Sequence, residues 1–175
     1  TTVLATFFAA HPAINVKCNA LDDDENAQLR KKLIHLELPA PLFTIDMEKA
    51  EIDRAVFVKL FDCLEPAYGH MVSLGQANTM VLCPALTSHS EMSQENLEKA
   101  GIKPTTIRIS LGDEDVRSLV AHFIRTSELV IDPVIPGFSS QFMLSEDVDK
   151  LYKEIYLAAH QRWFDSQPKL SEVMQ

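Results

Sequence analysis

At 175 residues with 46% hydrophobic side chains, the chain is long enough to bury one core, or one core with a helical appendage. Its 25 acidic against 16 basic residues give a formal net charge of −9, and neither the bases nor the six histidines gather into a stripe, which excludes the footprint that nucleic acid requires. The longest apolar runs, such as Leu129–Ile131 and Met80–Cys83, fall far short of the roughly 20 residues that span a bilayer, so no membrane partner is expected.

In chain order, Thr1–Ala10 is an apolar stretch without an initiator methionine and reads as the last turns of a helix ending before His11-Pro12. Ile14–Cys18 predicts a short strand. The acidic run Asp22–Glu25 suits the positive end of a helix reaching about His35, without calling for a metal. Pro39 and Pro41 stop that helix, and Leu42–Met47 alternates as a strand does. From Glu51 to Glu65, Ile52, Val56, Leu60 and Leu64 recur at helical spacing, with Phe57 and Phe61 beside them, and predict a core-facing helix. His70–Ser73 and Thr79–Cys83 read as two strands around Gly75, and Ser93–Ala100 as a helix capped by Ser93 and closed by Gly101.

Thr105–Ser110 predicts another strand, and Asp113–Ile131 a long helix with three acids in its first turn. Pro133, Pro136 and Gly137 make 132–143 a connection. A last helix from Ser145 to Asp165 places Val148, Leu151, Tyr152, Ile155, Ala159 and Trp163 on one side, a stripe expected to be buried against the chain or a partner subunit. The expected fold is an α/β (α+β) two-layer sandwich, its small sheet mostly antiparallel or mixed and covered by helices mainly on one face. Residues 1–131 form the body and 132–175 a helical extension packed on it.

Cys18, Cys63 and Cys83 are odd in number and widely spaced, with no C-x-x-C pair and no signal-peptide pattern, which suits a cytoplasmic location. His70, Cys83 and His89 match no zinc spacing. Ser88-His89-Ser90 lacks a nucleophile elbow and an orienting acid, and Asp113-Glu114-Asp115 reads as helix-start charge. Arg108, between Ile107 and Ile109, should face away from both isoleucines in a strand. A guanidinium set in an apolar strand matches a planar carboxylate. A ligand carboxylate, an internal ion pair or a solvated outer face all satisfy that pattern.

Four blocks then stand in order: Ser73-Leu-Gly-Gln-Ala-Asn-Thr79, Pro84-Ala-Leu-Thr-Ser-His-Ser90, Ala100-Gly-Ile102 and Ile107-Arg-Ile-Ser-Leu-Gly-Asp-Glu-Asp115. With Phe7–Val16 upstream, they resemble the C-terminal motifs of the Cys/Met-metabolism pyridoxal-phosphate enzymes, of the cystathionine gamma-synthase, methionine gamma-lyase and O-acetylhomoserine sulfhydrylase type. The resemblance covers about residues 3–130. It implies that Arg108 binds the α-carboxylate of an amino-acid substrate, that Ser73 and Leu74 line the same site, and that Ser88 stands near the substrate where the family usually has threonine. Asn78 replaces the family's glutamate after the Ser-Leu-Gly turn, and Leu86 a small residue of the Pro-Ala block, so the reaction itself is not fixed.

The resemblance also implies pyridoxal phosphate as cofactor, held by a larger preceding domain, and a homo-oligomer. No lysine of this chain follows threonine as the family's cofactor lysine does. Without that lysine the cofactor does not serve as an electron sink, so this chain alone is expected to be inactive. Two functions follow as expectations. One is the C-terminal part of an enzyme performing γ-replacement or γ-elimination on homoserine esters, cystathionine or methionine-like substrates. The other is a non-catalytic binding or assembly module that keeps the fold.

Overall fold

Arg108 lies in β5 (Ile107–Ser110), the middle strand of a five-stranded sheet in a computed structural model that describes residues 1–168. The others are β1 (Asn15–Lys17), β2 (Leu42–Asp46), β3 (Gly69–His70) and β4 (Met80–Leu82), in the order β1-β2-β5-β4-β3. Three of the four pairings are antiparallel and the β3–β4 pairing is parallel, so the sheet is mixed, as expected.

Register decides which side chains share a face. Ile109 lies opposite Phe43 and Val81, and Ile107 opposite Ile45; all five are buried and join the main core. Arg108 lies opposite Thr44 and Leu82, and Ser110 opposite Leu42 and Met80, which places these six on the other face. The alternation read from Ile-Arg-Ile thus becomes a division between core and site.

Helices α1 (Thr2–Ala9), α3 (Arg54–Asp62) and α5 (Val116–Val130) supply the opposing wall. Leu4, Phe7 and Phe8 of α1, Phe57 and Leu60 of α3, and Leu119, Val120 and Phe123 of α5 are buried in the cluster that holds the strand isoleucines. Phe8 meets Phe123 edge-on at 4.7 Å and Phe43 at 6.4 Å, joining the two layers. Two shorter helices are α2 (Ala27–Leu33) and α4 (Gln94–Lys99). The cap of α4 is the expected one: Ser93 accepts from the Asn96 amide, and Gly101 follows at φ +69°, a conformation glycine takes without a Cβ penalty.

The expected starts and ends of three elements need correction. The acidic run Asp22–Glu25 precedes α2, which begins at Ala27 with no acid in its first turn. The three acids do not occupy the first turn of α5. The helix begins at Val116, Asp115 is its N-cap and accepts from the Arg117 amide, and Glu114 turns back to Thr79. The strand expected over His70–Ser73 ends at His70. Beyond it the Val72 and Ser73 carbonyls accept from Arg108 instead of extending the ladder.

Past α5, residues 132–143 connect to α6 (Ser145–Asp165), which packs on α1 and on the turn at His35–Glu37. Phe138 and Phe142 of the connection enter the core, Phe142 stacking on Phe7 at 4.9 Å. Along α6, Val148 is buried and Leu151, Tyr152 and Ile155 pack against the cluster, but Trp163 is 47% exposed. The stripe expected to be buried to its end therefore leaves the body in its second half. There Arg162 donates from Nε to the Leu36 carbonyl at 3.0 Å, and Leu157 and Phe164 are also exposed. Residues 169–175 of the expected extension lie outside the described residues.

Candidate carboxylate-binding site

Arg108 stands half-buried on the face away from the core. Its Nη2 donates to the Val72 carbonyl at 2.9 Å and the Ser73 carbonyl at 3.3 Å. Its Nε is buried with no hydrogen-bond partner, and no acid among the described residues forms an ion pair with it. A guanidinium carries five donors in a rigid fork, and a buried donor left unpaired is destabilising. The Nη2 corner of the guanidinium is thus held by two backbone carbonyls, while the buried Nε has no partner. Of the readings open from sequence, the internal ion pair is therefore absent among the described residues.

Ser73 is half-buried and touches Arg108 through its carbonyl oxygen, whereas Leu74 beside it is 51% exposed. The turn continues through Gly75 at φ +73°, whose amide faces the Ser110 hydroxyl at 3.4 Å. Arg108 and Ser73 are thus brought together, and Leu74 is the next residue of the turn. Ser88 is not tied to them among the described contacts: it is exposed beyond the turn at Pro84–Leu86, and its hydroxyl pairs with His89 Nδ1 at 2.8 Å.

The other candidate groups have separate partners. His70 uses Nε2 at 2.8 Å from the Phe61 carbonyl and stacks on the Phe61 ring, and the Cys83 thiol, pushed up by burial, lies 3.8 Å from the Pro104 carbonyl. No group of three or more metal-ligating side chains occurs among the described residues.

The sequence pattern did not disclose the network beside Arg108. Glu114 accepts from the Thr79 amide at 2.5 Å and from the Thr79 hydroxyl at 2.8 Å, and the Thr79 hydroxyl oxygen accepts from the Gly112 amide at 3.0 Å. The one available signal was Gly112: a Cβ there would stand 2.1 Å from the Ala77 oxygen and 2.6 Å from the Asn78 carbonyl carbon, so only glycine lets the two segments cross.

A mixed five-stranded sheet with helices packed on it, and Arg108 in its middle strand on the side away from the main core, defines an α/β domain. The profile of the Cys/Met metabolism PLP-dependent enzymes matches residues 1–126. The chain belongs to that family.

Among curated relatives, a homocysteine synthase of Schizosaccharomyces pombe is 27% identical over 127 residues, 72% of this chain and 28% of that protein. Among solved structures, a cystathionine gamma-lyase of Micromonospora echinospora superposes with a TM-score of 0.61 at 26% identity, over 71% of this chain and 31% of its own. A Campylobacter jejuni protein assigned as an O-acetylhomoserine (thiol)-lyase superposes with a TM-score of 0.62 at 28% identity, over 71% of this chain and 29% of its own, and carries a pyridoxyl-lysine monophosphate. The chain therefore spans under a third of each of these relatives.

Pyridoxal phosphate is the cofactor of the family. On the Arg108 face the positions of the three inner strands are Leu42, Thr44, Met80, Leu82 and Ser110, and Lys17 of the edge strand β1 lies opposite Thr44. Lys31, Lys99 and Lys103 are engaged with Asp22, Glu95 and Glu48.

Proposed function

We propose that this chain is the C-terminal portion of a pyridoxal-phosphate enzyme of sulfur amino-acid metabolism and supplies the site for the substrate α-carboxylate. The reactions in view are γ-replacement or γ-elimination on homoserine esters, cystathionine or methionine-like amino acids. Arg108 binds the carboxylate, Ser73 and Leu74 line it, and Ser88 borders the substrate. A larger preceding domain holds the cofactor and its lysine, residues 132–175 pack as an extension on the body at 1–131, and the assembly is a cytoplasmic homo-oligomer.

The observation that carries this reading is the Arg108 guanidinium, anchored by two carbonyls yet left with a buried, unpaired Nε. Pyridoxal phosphate, when bound, supplies the electron sink for carbanions at the substrate α- and β-carbons. The contribution of this chain is to fix the carboxylate end, so that the reacting carbons are presented in one orientation.

A charge-assisted two-pronged contact is worth roughly 1.5–3 kcal/mol, about 10- to 150-fold in binding. In the full-length enzyme, titration with L-methionine, followed by calorimetry, should show Arg108→Lys weakened and Arg108→Ala weakened further by that range, since lysine keeps the charge and loses the fork. Unfolding curves recorded beside the titrations separate the two roles of the residue. Normal binding by Arg108→Ala, together with a lowered melting temperature, would reduce the arginine to a structural tie for Val72 and Ser73.

A further inference from the structure

The segment from Val72 to Asn78 has no regular secondary structure and is mostly exposed, with Val72 at 63% and Leu74 at 51%. Apart from a Gln76 contact with its neighbour Met71, its described hydrogen bonds all run to one stretch, Arg108–Glu114. Arg108 holds the Val72 and Ser73 carbonyls, Ser110 faces the Gly75 amide, and the Asp113 amide donates to Ala77 at 2.9 Å. The far end closes on Thr79, which is fully buried and gives both its donors to the Glu114 carboxylate.

Those two bonds are the only ones in the set with a charged side-chain acceptor, and such bonds are shorter and stronger than neutral ones. The Thr79 hydroxyl oxygen in turn receives the Gly112 amide, at the point where the backbones approach too closely for any Cβ. One exposed acid thus bears on the stretch that leaves β5 and on the segment that contacts Arg108. The segment's carbonyls hold Nη2 of the guanidinium, so its placement sets where the guanidinium points.

We propose that Glu114 is a positioning residue, latching the 72–79 segment onto the end of β5 so that the Ser73–Leu74 turn and the Arg108 guanidinium keep a fixed separation. This rests on the carboxylate reading of Arg108. Glu114 touches neither substrate nor cofactor; it acts through Thr79. Replacing it leaves the Thr79 amide buried without an acceptor and frees the segment at that end, while the core beneath β5 is untouched. Glutamine keeps one acceptor and adds a donor that suits the Thr79 hydroxyl oxygen, so Glu114→Gln should fall between the parent and Glu114→Ala.

The test measures backbone amide exchange and the Arg108 Nε–H resonance on the parent chain, Glu114→Gln, Glu114→Ala and Arg108→Ala, and L-methionine affinity on the same four in the full-length enzyme. In Glu114→Ala, exchange at the Gly112 and Asp113 amides, which donate to Thr79 and Ala77, should quicken about tenfold or more while α1 and α3 exchange as before. The Arg108 resonance should shift, and affinity should weaken by a similar factor, with glutamine intermediate in each measurement. Unchanged exchange at Gly112 and Asp113 overturns the latch. A loosened segment with an unmoved Arg108 resonance and unaltered affinity overturns the positioning role. Equal L-methionine binding by the parent and Arg108→Ala instead defeats the carboxylate reading, and exchange with the Arg108 resonance then still decides whether Glu114 sets the guanidinium.

Discussion

His11 is 1% exposed and bonded at both ring nitrogens. Nδ1 accepts from the Ala13 amide at 3.2 Å, which leaves the proton on Nε2 to donate to the Phe138 carbonyl at 3.0 Å. A second proton would sit on Nδ1 facing an N–H. Burial holds the imidazole below its ordinary value of 6.5, the Phe138 carbonyl opposing that pull in part. Because the folded value is the lower one, the unfolded chain takes up the proton first as pH falls. The stability tied to neutral His11 is complete above about pH 6.5 and declines from there toward the lower folded value. Melting temperatures between pH 7.5 and 5 should show that decline, and His11→Gln should flatten it while lowering stability at neutral pH. An equal slope in both proteins would place the proton uptake elsewhere. Other single residues were legible in uneven measure. Arg108 declared itself because a strand alternates, whereas the roles of His11 and Glu114 depend on Phe138 and Thr79, 127 and 35 residues away.

The start of α4 was readable from its Ser93 cap, which acts within three residues. Asp53, accepting from the Ala55 amide, and Asp115 cap α3 and α5 two residues inside the starts expected at Glu51 and Asp113. Ends set by distant partners were not readable, as with β3, which stops where Arg108 claims the next carbonyls. Asp115 also pairs with the Arg117 guanidinium at 2.6 Å, whose hydrogen bonds hold its carboxyl below the usual aspartate range. Removing an N-cap costs about 0.5–2 kcal/mol. Asp115→Ala should therefore lower the denaturation midpoint by an amount in that range, and Asp115→Asn, which keeps the capping oxygen but loses the charge, by less. If asparagine proves as damaging as alanine, the pairing with Arg117 matters more than the cap.

At the scale of the whole molecule, residues beyond 126 lie outside the stretch matched by the family, yet they share its core. The fastening is aromatic: Phe142 stacks on Phe7 of α1 at 4.9 Å and meets Phe123 of α5 edge-on at 5.9 Å, with Phe138 at 5.8 Å. His11 packs on both Phe138 and Phe142, so the same cluster binds the end of α1 to the connection. Trp163 is larger but meets Phe164, itself 66% exposed, and lies beside Leu36 and Leu38 at the margin. Size and apolar character in the sequence marked Trp163 as an anchor; burial assigns that role to Phe142. Truncating a buried phenylalanine costs about 3–5 kcal/mol, whereas surface substitutions usually stay within about 0.5 kcal/mol. Phe142→Ala should thus lower the stability of the entire chain in a single transition, because Phe7 and Phe123 belong to the core under β5. Trp163→Ala should leave the melting curve nearly unchanged, with tryptophan fluorescence in the parent close to that of a solvated indole. A Phe142→Ala protein that loses only the α6 signal in a separate, earlier transition would show instead that the extension folds on the body without sharing its cooperativity.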